Sequence, residues 1–173
     1  MKKEIVVISD IWGKSKSDWF EKFDEKLGDD YLVRYYDACQ LSKVETEPYE
    51  QERLHHQFVQ FGINNAVDKL LAAEKSSRIY IGCSVGGVIA WKAGLKGLPI
   101  EKLITISSTR LRKESKAPNC QLYNFFGYND DHKPNSDWLN SSIYGSTFLI
   151  EGGHDIYKES LSIDHIIYQT KLR

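Results

Sequence analysis

The stretch Arg78-Ile79-Tyr80-Ile81-Gly82-Cys83-Ser84-Val85-Gly86-Gly87-Val88-Ile89-Ala90-Trp91 leaves this chain few folds to choose from. Ile79, Tyr80 and Ile81 are β-branched or aromatic and read as a short buried strand. From Val88 to Leu95 apolar residues follow without alternation, as in a packed helix. Between them lies Gly82-x-Ser84-x-Gly86, a glycine-framed turn that reverses a strand directly into a helix. The apex residue of such a turn is strained, and its neighbours two positions away must be small to avoid collision. Ser84 is thereby set at a helix N-terminus, where free amides and the helix dipole favour developing negative charge. Such a pattern arises by chance in roughly one chain of this length in fifteen, so it needs partners elsewhere. A phosphate-cradling turn is a weak alternative: no Lys follows the glycines, and there is no G-x-G-x-x-G.

The rest of the chain alternates strands and helices around that turn. Strands are expected at Glu4 to Ser9, Tyr31 to Tyr36, Arg78 to Gly82, Lys102 to Ser107, Gln121 to Phe126 and Ser146 to Glu151. Ser17 is placed to cap a helix from Asp18 to Leu27, with Trp19, Phe20, Phe23 and Leu27 on one stripe and Gly28 at its end. Asp37 to Tyr49 reads as polar loop. Pro48 then leads into a helix from Glu50 to Glu74, weakened in the middle by Gly62. Pro134 to Leu139 suits a short helix. A last helix runs from Ile156 to Tyr168, with Tyr157, Leu161, Ile163, Ile166 and Ile167 inward. This order implies an α/β protein with about six mostly parallel strands and helices on both faces, in three layers. No internal repeat or linker divides it, and residues 1–173 are expected to form one domain.

The charge balance excludes some partners. Lys and Arg number 23 and Asp and Glu 24, for a net charge of −1, which offers nucleic acid or an anionic membrane no global attraction. No apolar run approaches a membrane span. After Met1, Lys2 and Lys3 only four apolar residues, Ile5 to Ile8, follow in a row, too few for a signal-peptide core. The 3 cysteines, Cys39, Cys83 and Cys120, are odd in number and scattered without metal-ligand spacing. A reducing cytoplasm with free thiols is the expected setting, and no metal or cofactor is implied.

In open parallel sheets, sites form beyond the carboxyl ends of the strands. Those ends carry Ser9-Asp10-Ile11-Trp12-Gly13, then Ser84, then Phe126-Gly127-Tyr128-Asn129-Asp130-Asp131, then Gly152-Gly153-His154-Asp155. A serine, a carboxylate and a histidine converge on one edge, in the chain order Ser, Asp, His. On Gly82-Cys83-Ser84-Val85-Gly86, Gly127-x-x-Asp130 and Gly153-His154, the chain resembles the α/β-hydrolase superfamily in a small, minimal form without a cap domain. The likeness covers nearly the whole length. It implies the strand order 2-1-3-4-5-6.

The resemblance also implies roles. Ser84 is the nucleophile, His154 the general base, and Asp130 the group that orients His154. Asp131 competes with Asp130, and the glycine spacing favours Asp130. The backbone N–H groups of Ile11 and Val85 would form the oxyanion hole, with Trp12 the next candidate. The family often has His-Gly where Ser9-Asp10 stands here, and an ionised Asp10 aimed at the oxyanion would oppose it. Asp10 is therefore expected to point away and bond loop amides. Cys83 reads as a packing residue, His55 and His56 as helix-face residues, and His132 and His165 as solvated. Trp12 suits a wall of the site or packing under the loop, rather than a cofactor contact.

Only Ser108 to Cys120 separates the fourth and fifth strands, too short for a helical cap, so an open site is expected. That connection carries Arg110, Arg112, Lys113 and Lys116 against Glu114 alone. Arg110 and Arg112 suit an anionic or carrier-bound part of a substrate, and equally a solvated charged loop. The implied activity is hydrolysis of a carboxylic ester or thioester through an acyl-enzyme. The alternative is a catalytically silent hydrolase fold that binds an acyl ligand or a protein partner. The oligomeric state is left open.

Overall fold

The computed structural model describes residues 2–172, and Met1 and Arg173 lie outside the described residues. Strands β1 (Lys3–Ile8), β2 (Tyr31–Tyr36), β3 (Arg78–Cys83), β4 (Ile100–Ile106), β5 (Gln121–Gly127) and β6 (Ser146–Ile150) form one sheet. Their order is β2-β1-β3-β4-β5-β6. Every neighbouring pair is parallel. The helices are α1 (Trp19–Leu27), α2 (Ala38–Ser42), α3 (Gln51–Gln57), α4 (Ile63–Ala73), α5 (Val85–Leu95), α6 (Ser136–Leu139) and α7 (Ser160–Thr170).

A parallel sheet covered on both faces needs strands that are apolar throughout, and β1 shows it. Ile5, Val6, Val7 and Ile8 are all fully buried. Val6 and Ile8 join Val67, Leu70, Ile89 and Trp91 in a core under α4 and α5. Ile5 and Val7 join Trp19, Phe23, Ile163 and Ile166 in a second core under α1 and α7. The three layers are those expected of a minimal α/β-hydrolase fold. Strand β1 lies beside β3, so the loop after β1 borders the turn after β3.

Local differences from the sequence reading have physical causes. Ser17 does not cap α1. Its hydroxyl donates to the Gly13 carbonyl at 2.5 Å and so closes the loop after β1. The stretch after β2 is not all loop: the Asp37 carboxylate accepts from the Gln40 N–H at 3.0 Å and caps α2. The helix expected from Glu50 to Glu74 is broken by a π turn at Phe58–Gly62 between α3 and α4. There a Cβ on Gly62 would lie 3.0 Å from Val44 Cγ1 and 3.1 Å from Ser42 Cβ, so the absent side chain lets this turn close on α2. The last helix starts later than expected, after a 3-10 turn at Ile156–Lys158, and Leu161 faces solvent at 85% exposure. Between β4 and β5 the chain makes only a 3-10 turn, Thr109–Lys113, anchored by buried Leu111. Among the described residues nothing resembling a cap domain stands over the sheet. No helix among the described residues is long and apolar enough to cross a membrane.

Candidate active site

Ser84 stands between β3 and α5 with φ 51° and ψ −116°. A non-glycine residue in that region costs on the order of 1–3 kcal/mol and persists only where its surroundings enforce it. The enforcement is visible. The Ser84 N–H donates to the Ile106 carbonyl at 2.8 Å, tying the apex to the end of β4. A Cβ on Gly82 would lie 2.3 Å from Gly87 Cα, and one on Gly86 would lie 2.4 Å from the Ile8 carbonyl oxygen. Both glycines are therefore required by close approach, not by flexibility.

The structure brings Ser84, His154 and Asp130 together. Ser84 Oγ is 3.1 Å from His154 Nε2. His154 Nδ1 is 2.8 Å from Asp130 Oδ2. Because a carboxylate accepts only, Nδ1 carries the proton and Nε2 presents its lone pair to the serine hydroxyl. Asp130 is buried, and its Oδ1 accepts from the His132 N–H at 2.9 Å. Asp131 is exposed. The loops bearing the acid and the histidine are joined, since the Asn129 N–H donates to the Gly152 carbonyl at 2.9 Å. A Cβ on Gly127 would lie 2.0 Å from the Gly153 carbonyl oxygen, so only glycine admits this approach.

Val85 is the first residue of α5, and its N–H has no acceptor within the helix. The Ile11 N–H makes no hydrogen bond among the described residues. The Trp12 N–H is already taken, donating to Asp10 Oδ1 at 3.0 Å. Asp10 is 1% exposed. Its Oδ1 also lies 3.5 Å from the Ser17 hydroxyl, and its Oδ2 accepts from the Tyr157 hydroxyl at 2.9 Å. Burial pushes the Asp10 carboxyl above its usual range, against the pull of the Tyr157 and Trp12 donors. Tyr157 is fully buried and sets its ring edge-on to His154, with centroids 6.3 Å apart. It thus braces both the histidine loop and the loop after β1. The same burial drives its phenol far above the ordinary range.

Beside Ser84 opens a cavity of about 60 Å³ lined by Phe58, Val59, Ile63 and Val88, with Ile11, Val85, Thr109, His55 and Arg110 completing it. Trp12, expected to wall the site or to pack under the loop, is not part of the lining and is half-buried. The two arginines expected at the substrate part company. Arg110 lines the cavity, whereas Arg112 is exposed and donates to the Thr109 carbonyl at 2.8 Å and the His132 carbonyl at 3.4 Å. Cys83 is fully buried, and its thiol is held well above its normal ionisation range by desolvation. His56, His132 and His165 are exposed. The sequence does not mark His55, Phe58, Val59 and Ile63 as site residues, because no motif contains them and the π turn alters the face they share. Among the described residues, no cluster of three or more His, Cys, Asp or Glu is placed to hold a metal ion.

The sheet order, the strained serine turn and the adjoining loops define an α/β-hydrolase fold. Solved structures show the same architecture over nearly the whole chain. A lidless α/β serine hydrolase from Xanthomonas campestris is 13% identical with a TM-score of 0.64, covering 98% of this chain and 83% of that one. The RedJ thioesterase of the prodiginine pathway in Streptomyces coelicolor is 13% identical with a TM-score of 0.63, covering 98% and 85%. Mouse α/β-hydrolase domain-containing protein 10 is 14% identical with a TM-score of 0.61, covering 97% and 88%. At such identities the likeness establishes the fold and not the chemistry. No family model and no curated protein matches the sequence.

Proposed function

We propose that the protein is a serine hydrolase that cleaves a carboxylic ester or thioester through an acyl-enzyme. The observation that carries this reading is the relay from Ser84 Oγ to His154 Nε2 at 3.1 Å and from His154 Nδ1 to Asp130 Oδ2 at 2.8 Å. Ser84 Oγ attacks the substrate carbonyl carbon while His154 Nε2 takes the hydroxyl proton. Asp130 holds the imidazole in the productive tautomer and stabilises the imidazolium that forms. Negative charge gathers on the carbonyl oxygen, where the Ile11 and Val85 N–H groups receive it. One such donor contributes on the order of 3 kcal/mol to a transition state of this kind. The intermediate collapses, and His154 returns the proton to the departing alcohol or thiol. Water, deprotonated by the same Nε2, then attacks the acyl-enzyme, releases the acid and restores Ser84. No step of this chemistry requires a metal or an organic cofactor.

The fold likeness to a lidless serine hydrolase and to a thioesterase supports the choice of bond without fixing it. The test is covalent labelling with a fluorophosphonate, paired with turnover of p-nitrophenyl butyrate. Wild type is expected to label at Ser84 and to hydrolyse the ester. Ser84→Ala, folded by circular dichroism, is expected to do neither. Folded wild type that neither labels nor turns over any ester or thioester would leave the silent binding protein as the better account.

A further inference from the structure

The cavity beside Ser84 has an apolar lining together with unbalanced basic side chains. Phe58, Val59, Ile63 and Val88 supply the apolar lining, and no carboxylate is among the lining residues. Arg110 makes no hydrogen bond and no ion pair among the described residues, although it is half-buried. The acid nearest in sequence, Glu114, is already engaged by Lys92 at 2.8 Å. Arg112 spends its guanidinium on two backbone carbonyls. The exposed His55 also lines the cavity. The groups that act on its charge are Arg110, Arg112 and Lys113 of the β4–β5 connection and His132 of the loop after β5. Burial first, and then the positive charge of these neighbours, hold the imidazole below its usual range. A guanidinium left half-buried without a partner is costly, and a buried or half-buried arginine is ordinarily matched by a carboxylate or phosphate.

We propose that this cavity selects substrates carrying an anionic group a few atoms from the scissile carbonyl, with Arg110 as its anchor. The apolar lining takes the short chain between the two, and a proton taken up by His55 adds a second charge when the anion arrives. The proposal rests on the serine-hydrolase reading for the position of the carbonyl. The anion is a carboxylate or a phosphate, and it sits either on the acyl group or on the leaving group.

The test compares substrates matched in length. The mono-p-nitrophenyl ester of glutaric acid is set against p-nitrophenyl valerate for an anionic acyl group. The S-butyryl thioester of 3-mercaptopropionate is set against that of 1-propanethiol for an anionic leaving group. In at least one pair, kcat/KM is expected to favour the anionic member about tenfold or more, through KM. That ratio should fall towards one in Arg110→Gln, stay in place in Arg112→Gln and shrink with added salt. Binding of the same pairs to Ser84→Ala protein, and to the Ser84→Ala/Arg110→Gln double variant, reads the preference without turnover. Equal affinities in both pairs, or a preference that survives Arg110→Gln, would overturn the proposal even if Ser84 labels normally. Failure of Ser84 to label, with anion binding intact, would instead remove the hydrolase reading alone.

Discussion

At Asp130 the carboxylate is buried, with Oδ1 on the His132 N–H and Oδ2 on His154 Nδ1, whereas Asp131 beside it is exposed. Only the first can fix a tautomer. Asp130→Asn offers the imidazole an amide that can donate as well as accept, and kcat is expected to fall about 10³- to 10⁴-fold. Asp131→Asn is expected to change kcat less than about threefold, measured on the same ester. Asp10 poses a different problem, since it combines burial with a raised ionisation range. A carboxyl whose pKa is higher folded than unfolded stabilises the fold while protonated, and that contribution is lost as pH rises through the folded value. At neutral pH its ionised form therefore opposes folding. Asp10→Asn keeps an acceptor for the Trp12 N–H and a partner for the Tyr157 hydroxyl. The variant is expected to have a higher urea midpoint than wild type at pH 7, with the gap closing below about pH 4, where the unfolded carboxyl is protonated too.

Where α4 runs into β3, a charged cluster ties several elements together. Glu74 follows α4 and its side chain is fully buried. It accepts from the Tyr36 hydroxyl at 2.6 Å and from Arg34 at 3.1 Å, and it also pairs with Arg78, which reaches on to Glu4. This cluster stitches α4 to β1, β2 and β3 on one flank of the sheet. Removing the buried member takes the acceptor from the Tyr36 phenol and leaves both guanidinium groups to share the partly exposed Glu4. Glu74→Ala is expected to cost about 2–4 kcal/mol, less than a fully buried pair because Arg34 is half-exposed, and denaturant unfolding will measure it. The same region shows where sequence periodicity stops being informative. The spacing of Leu54, Phe58, Phe61, Val67, Leu70 and Leu71 predicts one helical face. The π turn adds a residue to one turn and rotates the helix beyond it. Phe61 is consequently 39% exposed, while Ile63, outside that stripe, is buried and reaches the cavity.

Across the whole molecule, the legible parts are those where chain order and neighbourhood coincide. Continuous apolar strands such as Ile5 to Ile8, separated by helical stretches, admit little but a doubly covered parallel sheet. The serine turn is legible because its glycines form a local pattern, although Gly82 answers to Gly87 nearby and Gly86 to Ile8 on the adjoining strand. Asp10 could be expected to bond loop amides, and it does, but its second partner Tyr157 is 147 positions away and no local pattern announces it. The cavity is less legible still, because it is assembled from α3, the π turn, α4, α5 and the β4–β5 connection. The shortness of that connection has a consequence for kinetics. With only the turn at Thr109–Lys113 there, no helix has to lift away from Ser84 before substrate enters. Under the hydrolase reading, rates against a sparingly soluble ester should follow one hyperbola through its solubility limit, with no jump where aggregates appear. Chain length should matter only until the cavity of about 60 Å³ is filled. Each buried methylene contributes about 0.8 kcal/mol, or roughly fourfold in kcat/KM, and a group of that size takes roughly 30 Å³. The rise from acetyl to butyryl p-nitrophenyl esters is therefore expected to be steep. Beyond butyryl the curve should flatten, because further methylenes remain in water. A continued climb to octanoyl would mean that the π turn at Phe58–Gly62 yields to the substrate and that the cavity is larger in use than at rest.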